Sequence, residues 1–267
     1  MAVDIVPALL EQIRTRLQKG LTGNPWLTEI TYRIRDGTAT MRETIDYAEL
    51  LGESLSDALG AVLTPEALPD GTMYYNIANR TVKPLLRENF NNVNQIAAAV
   101  QAILDEADGV GLKAVTPEFP EARVNGLIDM LTGSDSFQRW LGEPIVNTTM
   151  SFADDFVKAN AEFRYTSGMD VKIIRTTEAQ ETKRRPNRSK YVIPCKWCAS
   201  LAGTYSYSEA RSNKDLFKRH ESCRCRVVYQ NGGGMQDVWS KRIWQADADT
   251  LKRRESTGTQ LQFGERG

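Results

Sequence analysis

Cys195-Lys196-Trp197-Cys198, then a spacer, then His220-Glu221-Ser222-Cys223-Arg224-Cys225: these two stretches hold all 4 cysteines and the single histidine of a chain of 267 residues. A tetrahedral Zn²⁺ takes four thiolate or imidazole ligands, and a C-x-x-C pair followed by a second short Cys/His cluster supplies two pairs. Cys195 and Cys198 form the first pair, because two intervening residues let both sulfurs face one point in a tight turn. The second pair is drawn from His220, Cys223 and Cys225. His220-x-x-Cys223 repeats the spacing of the first pair, His220 with Cys225 gives a wider half-site, and the spacing leaves both cysteines open. This cluster decides the character of the C-terminal half, a small module stapled by structural zinc.

Other readings of the same residues fit less well. Disulfides need an oxidising compartment, and the chain opens Met1-Ala2-Val3-Asp4 without the basic and apolar regions of a signal peptide. A thioredoxin-like pair would leave His220, Cys223 and Cys225 unused. Pro194-Cys195-Lys196-Trp197-Cys198 matches half of the zinc deaminase signature, but the H-x-E half is missing, since no histidine precedes position 220. An HNH-type nuclease lacks its histidines for the same reason.

Outward from the cluster, charge is uneven. Up to Asp170 there are 14 Lys/Arg against 24 Asp/Glu, and from Val171 onward 20 against 10, so the two parts carry about −10 and +10 within a formal net charge of +0. A basic C-terminal part suits nucleic acid or an acidic surface, and equally a solvated face. Lys183, Arg184, Arg185 and Arg188 lie in a polar connection and are the candidate phosphate contacts. No apolar run approaches the length of a membrane span, so membrane insertion is not expected.

The region before Val171 reads as helical. Residues 3–19 carry Val6, Leu9, Leu10, Ile13 and Leu17 on one face; 41–63 and 93–104 are amphipathic, the latter capped by Asn91 or Asn92; 73–90 is weaker, with Pro84 as a kink or break. Short helices are expected over 122–131 and 136–141, and a longer one over 147–165. One exception is Thr28–Arg35, where Ile30, Tyr32 and Ile34 alternate as in a short strand or extended arm. After Val171 the period changes, and 171–175, 191–193 and 226–229 are β-prone. Beyond the Asn231-Gly232-Gly233-Gly234 joint, Trp239 and Trp244 are the strong anchors of a polar tail and the candidate partner contacts. The expected fold is mainly α, with a helical domain over 1–135, a small zinc-stapled α+β module over 136–230 and a flexible tail over 231–267.

The order of pieces from Phe156 to Trp244 resembles the minor head proteins of tailed bacteriophages named after the Mu phage F protein, in their Gram-positive phage or prophage form. The pieces are Ala161-Glu162-Phe163-Arg164-Tyr165 with Gly168, the strand Lys172-Ile173-Ile174-Arg175-Thr176-Thr177, Cys195-x-x-Cys198, Leu201-Ala202-Gly203 and the closing His220-x-x-Cys223-Arg224-Cys225. A long basic insertion between Thr177 and Tyr191 departs from the pattern. The resemblance implies a virion component in several copies at the capsid interior or portal vertex, present in the bacterial cytoplasm during assembly. It implies portal protein, major capsid protein and packaged DNA as partners, a role in head assembly and DNA packaging or delivery, and no enzymatic activity. The alternatives are a zinc-module regulator that binds DNA and a zinc-dependent enzyme. Against the latter, the chain has no G-x-S-x-G, H-E-x-x-H or Gly-rich phosphate loop.

Overall fold

Thr40 starts the helix around which the body is packed: its backbone N–H donates to the Glu43 carboxylate at 2.6 Å and its hydroxyl donates at 3.0 Å, which satisfies the start of α3 (Met41–Val62). The computed structural model describes residues 4–177, 196–220 and 223–231. Before α3 come α1 (Val6–Leu21), which buries Val6, Leu9 and Ile13, and α2 (Pro25–Arg35). After it come α4 (Tyr75–Ala107), α5 (Glu121–Thr132) and α6 (Glu143–Thr166). Pro65–Ala67 and Pro69–Gly71 are short 3₁₀ segments, and so is Phe137–Leu141, where a short helix is expected. The chain is mainly α, as its periodicity indicates.

Two expectations are corrected. Thr28–Arg35 is helical, because Asn24 caps the Trp26 N–H at 2.9 Å and Pro25 occupies the first turn, where its missing N–H costs nothing. Ile30 and Ile34 then fall one turn apart on the inner side while Tyr32 is exposed. The segments 73–90 and 93–104 form one 33-residue helix, with Pro84 inside it and Asn91 and Asn92 in its interior rather than at a cap. Val82, Leu85, Leu86, Phe90 and Val93 are all buried along that helix, and this packing outweighs the hydrogen bond that Pro84 cannot make.

Three helix ends use the same stop. Gly37, Gly109 and Gly168 have φ of 68°, 67° and 89°, and the residue after each donates back to the helix, Thr38 to Arg33, Val110 to Asp105 and Met169 to Arg164. The connection after Gly109 is pinned to α6 by buried Asn160, whose side chain bonds both the N–H and the carbonyl of Val115 at 2.8 Å. α3 and α6 approach so closely at Gly52 that a Cβ there would lie 2.8 Å from the Val146 Cα. Phe90 packs edge-on against Phe119 and Phe152, with centroids 5.3 and 5.4 Å away.

α6 leads into a three-stranded antiparallel sheet of order β2-β1-β3, made of β1 (Val171–Thr176), β2 (Gly203–Ser206) and β3 (Arg226–Asn231). Ile173 faces Tyr205 on one side and Tyr229 on the other. Alternation along β1 buries Val171, Ile173 and Arg175 on one face. The expected strand at 191–193 lies outside the described residues. Hydrophobic packing runs from Val6 to Tyr229 without interruption, across the 135/136 boundary, so the sheet module shares the core of the helical body.

Ion pairs tie that sheet down. Arg226 of β3 reaches Asp46 and Glu49 of α3, each at 2.6 Å, Arg224 reaches Glu49 at 2.9 Å and Glu143 at 2.8 Å, and Arg164 pairs with Asp105 at 2.6 Å while donating to the Tyr229 hydroxyl at 2.6 Å. Glu49 and Arg164 are fully buried. Part of the basic excess after Val171 is thus neutralised internally by the acidic part before it. Among the described residues, no helix is long and apolar enough to cross a membrane.

Candidate metal centre

Lys196–Ser200 forms a single helical turn, α7, which buries Cys198. From there β2 leads into α8 (Tyr207–Ser212), whose start is fixed by reciprocal bonds between Ser206 and Glu209. The chain then returns through Leu216, which is fully buried, to the ligand loop. This excursion brings residues 22 and 25 positions apart together: Cys198 Sγ lies 2.9 Å from His220 Nε2 and 3.8 Å from Cys223 Sγ. The three donor atoms all fall within 4.8 Å of one another, a spacing that a single metal ion can bridge.

Cys225 packs in the same buried cluster but stands outside that three-donor group, so Cys223 is the cysteine that the geometry joins to His220. Cys195 lies outside the described residues, as do Lys183, Arg184, Arg185, Arg188, Trp239 and Trp244. Cys223 and Cys225 are free thiols. A hydrogen bond from the Cys225 thiol lowers the Cys223 thiol to about 4 against the cost of its burial, with Arg219 and Arg175 adding to the effect. The same bond pushes the Cys225 thiol up. Cys223 is therefore prepared to act as a thiolate, the form that binds metal.

The ligand loop is held by its carbonyls. Arg219 donates from Nη1 to the carbonyls of Cys223 at 3.4 Å and Cys225 at 3.0 Å, and is itself gripped by both Asp154 carboxylate oxygens at 2.5 and 2.9 Å. Burial opposes the Arg219 charge, and Asp154 with the two thiols outweighs it, leaving the guanidinium pKa above its ordinary value. Asn147 donates to the His220 carbonyl at 3.1 Å. Arg175 donates to the carbonyls of Leu216 and Lys218, the latter at 3.1 Å. Five carbonyls between 216 and 225 are thus tied to α6, to β1 or to the Arg219 bridge. The edge of Trp197 meets the His220 ring at 5.6 Å between centroids, which fixes the imidazole plane.

Sequence reasoning missed Arg175, Arg219, Asn147 and Asp154. The available signal was the density of arginines at 219, 224 and 226 around the cysteines, a pattern that a solvated basic surface shares. Chemically, the site offers soft thiolate and borderline imidazole donors on a backbone that is already positioned. The one histidine of the chain sits in this donor group and also lines a surface groove of about 480 Å³ with Arg123, Trp140 and Phe217. No family model, curated protein or solved structure matches this chain.

Proposed function

We propose that this chain is a phage minor head protein in which structural zinc locks a small sheet module onto a helical body. The observation that carries the zinc reading is the convergence of Cys198, His220 and Cys223 within 4.8 Å, the last two on a loop whose carbonyls are bound by Arg175, Arg219 and Asn147. Thiolate and imidazole donors favour Zn²⁺ over Ca²⁺ or Mg²⁺, which take oxygen ligands. With its imidazole in the donor group, His220 is not available as a general base, and the reading is structural.

The head-protein part rests on the sequence order Tyr165, Gly168, strand, C-x-x-C, Leu201-Ala202-Gly203 and H-x-x-C-R-C, and on the helical body that precedes it. On this reading the protein works at the portal vertex or the capsid interior, in several copies, contacting portal and major capsid proteins and packaged DNA without catalysing a reaction. Mass spectrometry of purified virions tests it: the protein should be present at a fixed ratio to portal. A DNA-binding regulator would stay in the cytoplasm, and absence from particles would refute the head assignment. Elemental analysis of protein purified under reducing conditions should find about one zinc per chain.

A further inference from the structure

One face of α5 opens onto the surface groove. Arg123, Leu127 and Met130 follow one another at helical spacing and line its space of about 480 Å³. Trp140, from the 3₁₀ segment, and Phe217, from the turn before His220, add apolar surface and are only partly buried. Met130 is 42% exposed, although Val124, Leu127, Ile128 and Leu131 of the same helix are buried. Met, Trp, Phe and Arg are the side chains that the centres of protein interfaces favour over the rest of the surface.

Charge around this apolar surface is sorted by sign. The groove is lined by Arg123, Lys218, Arg219 and His220 and by no carboxylate. Arg219 is committed to Asp154 and to loop carbonyls, and His220 to the Cys/His donor group, which leaves Arg123 and Lys218 as the cations that can turn to a ligand. Asp155 and Ser151 engage Nη1 and Nη2 of Arg123, while its Nε has no hydrogen-bond partner among the described residues. Lys218 meets Asp215 in an exposed pair, which costs little to rearrange. Met130 and Trp140 also line a second, open depression that holds Asp129 and Asp135 and no cation. Arg139 stands 5.7 Å from the Trp140 ring without lining either hollow. The two apolar residues thus divide a basic side from an acidic one.

We infer that this surface docks a short amphipathic segment of another protein. The segment sets a large apolar side chain against Met130 and Trp140, an acidic residue against Arg123 and Lys218, and a basic residue toward Asp129 and Asp135. Two available cations suit a carboxylate, whereas a nucleic acid strand needs a longer row of phosphate contacts to hold in salt. Opposite charge at the two ends fixes the direction in which the segment lies. Neither the metal reading nor the head-protein reading is needed for this site.

The test selects a random peptide display library on the immobilised full chain, with the Met130→Glu chain as counter-selection. Enriched peptides should carry a large apolar residue between an acidic and a basic one. The best of them, synthesised with a fluorescent label and followed by anisotropy, should bind Met130→Glu roughly 10-fold or more weakly, the scale of losing an interface anchor. Lys218→Glu should also weaken it, and a peptide with its acidic residue exchanged for lysine should bind Lys218→Glu better than the wild type. Tyr75→Glu alters another exposed apolar residue, outside the groove, and should bind as the wild type does. All three altered side chains are exposed, so the variants should keep the wild-type circular dichroism. No enrichment over the counter-selection, enriched peptides without an acidic residue, binding indifferent to Met130→Glu, or absence of the charge-exchange rescue would overturn the inference. So would loss of binding in Tyr75→Glu. Self-association abolished by Met130→Glu would make the surface a contact between copies, and displacement of the peptide by a single-stranded oligonucleotide would make it a nucleic-acid surface; either result would also overturn it.

Discussion

Alanine at position 52 should act against its own helix propensity. A Cβ on Gly52 would lie 2.8 Å from the Val146 Cα, 3.1 Å from the Val146 carbonyl oxygen and 3.2 Å from the Thr149 Cβ. Favourable carbon contacts need about 3.5–4.0 Å, so the new methyl is short of room by roughly 0.5–1 Å. Two of the three obstacles are backbone atoms of α6, which cannot rotate aside. Relief requires α3 and α6 to separate, at an overpacking cost of about 1–3 kcal/mol, which backbone obstruction puts at the upper end. Replacing a helical glycine with alanine returns about 1 kcal/mol, leaving Gly52→Ala destabilised by about 2 kcal/mol. Gly60 is the internal control: it lies in the same helix with nothing within 4 Å of its Cβ position, and Gly60→Ala should stabilise by about 0.5–1 kcal/mol. Urea unfolding of the two variants beside the wild type should give midpoints displaced in opposite directions at unchanged slope. Equal shifts of the same sign would refute the claim that α3 and α6 meet at backbone distance.

Three further outcomes are expected. Metal content after gel filtration should fall to background in Cys198→Ser and Cys223→Ser but persist in Cys225→Ser, whose sulfur stands outside the donor group; metal loss in all three alike would contradict that geometry. Glu49→Gln should cost about 3 kcal/mol in a denaturant titration, the lower end for breaking a buried pair, because Arg224 keeps Glu143 and Arg226 keeps Asp46; a loss below about 1 kcal/mol would show that this network is solvated. If the basic connection touches packaged DNA, neutralising Lys183, Arg184, Arg185 and Arg188 together should weaken sequence-tolerant DNA binding and flatten its salt dependence, measured by fluorescence anisotropy, and unchanged binding would return these residues to solvent.

Much of the helical body was legible because its apolar faces are long and repeat with helical period, as in Met41–Val62 and Glu143–Thr166. The exceptions have local causes. At Thr28–Arg35 an alternating pattern concealed a helix that Asn24 and Pro25 initiate. At Pro84 the usual penalty for proline was outweighed by buried neighbours on both sides. β2 had no signature in Gly203-Thr204-Tyr205-Ser206, because its place is set by pairing with β1 rather than by an apolar face. For the metal centre, spacing could bring His220 near Cys198 but could not choose between Cys223 and Cys225, which differ by the path of the backbone alone. The supporting side chains were hidden more deeply, since Asn147 and Asp154 meet the loop across 73 and 65 positions.

The ion pairs between β3 and α3 also constrain the order in which the chain can complete itself during synthesis. Glu49 meets Arg226 across 177 positions, and Asp46 meets it across 180. At about 5–20 residues per second, a ribosome that has added Glu49 needs roughly 10–35 s more to reach Arg226. Throughout that interval the Glu49 carboxylate has neither Arg224 nor Arg226 to join, and the α3 surface that will receive the sheet stays hydrated. A chain interrupted before Arg224 cannot close this surface at all. The helix α3 is therefore completed by β3, so that a finished core reports that translation has passed the Cys/His cluster.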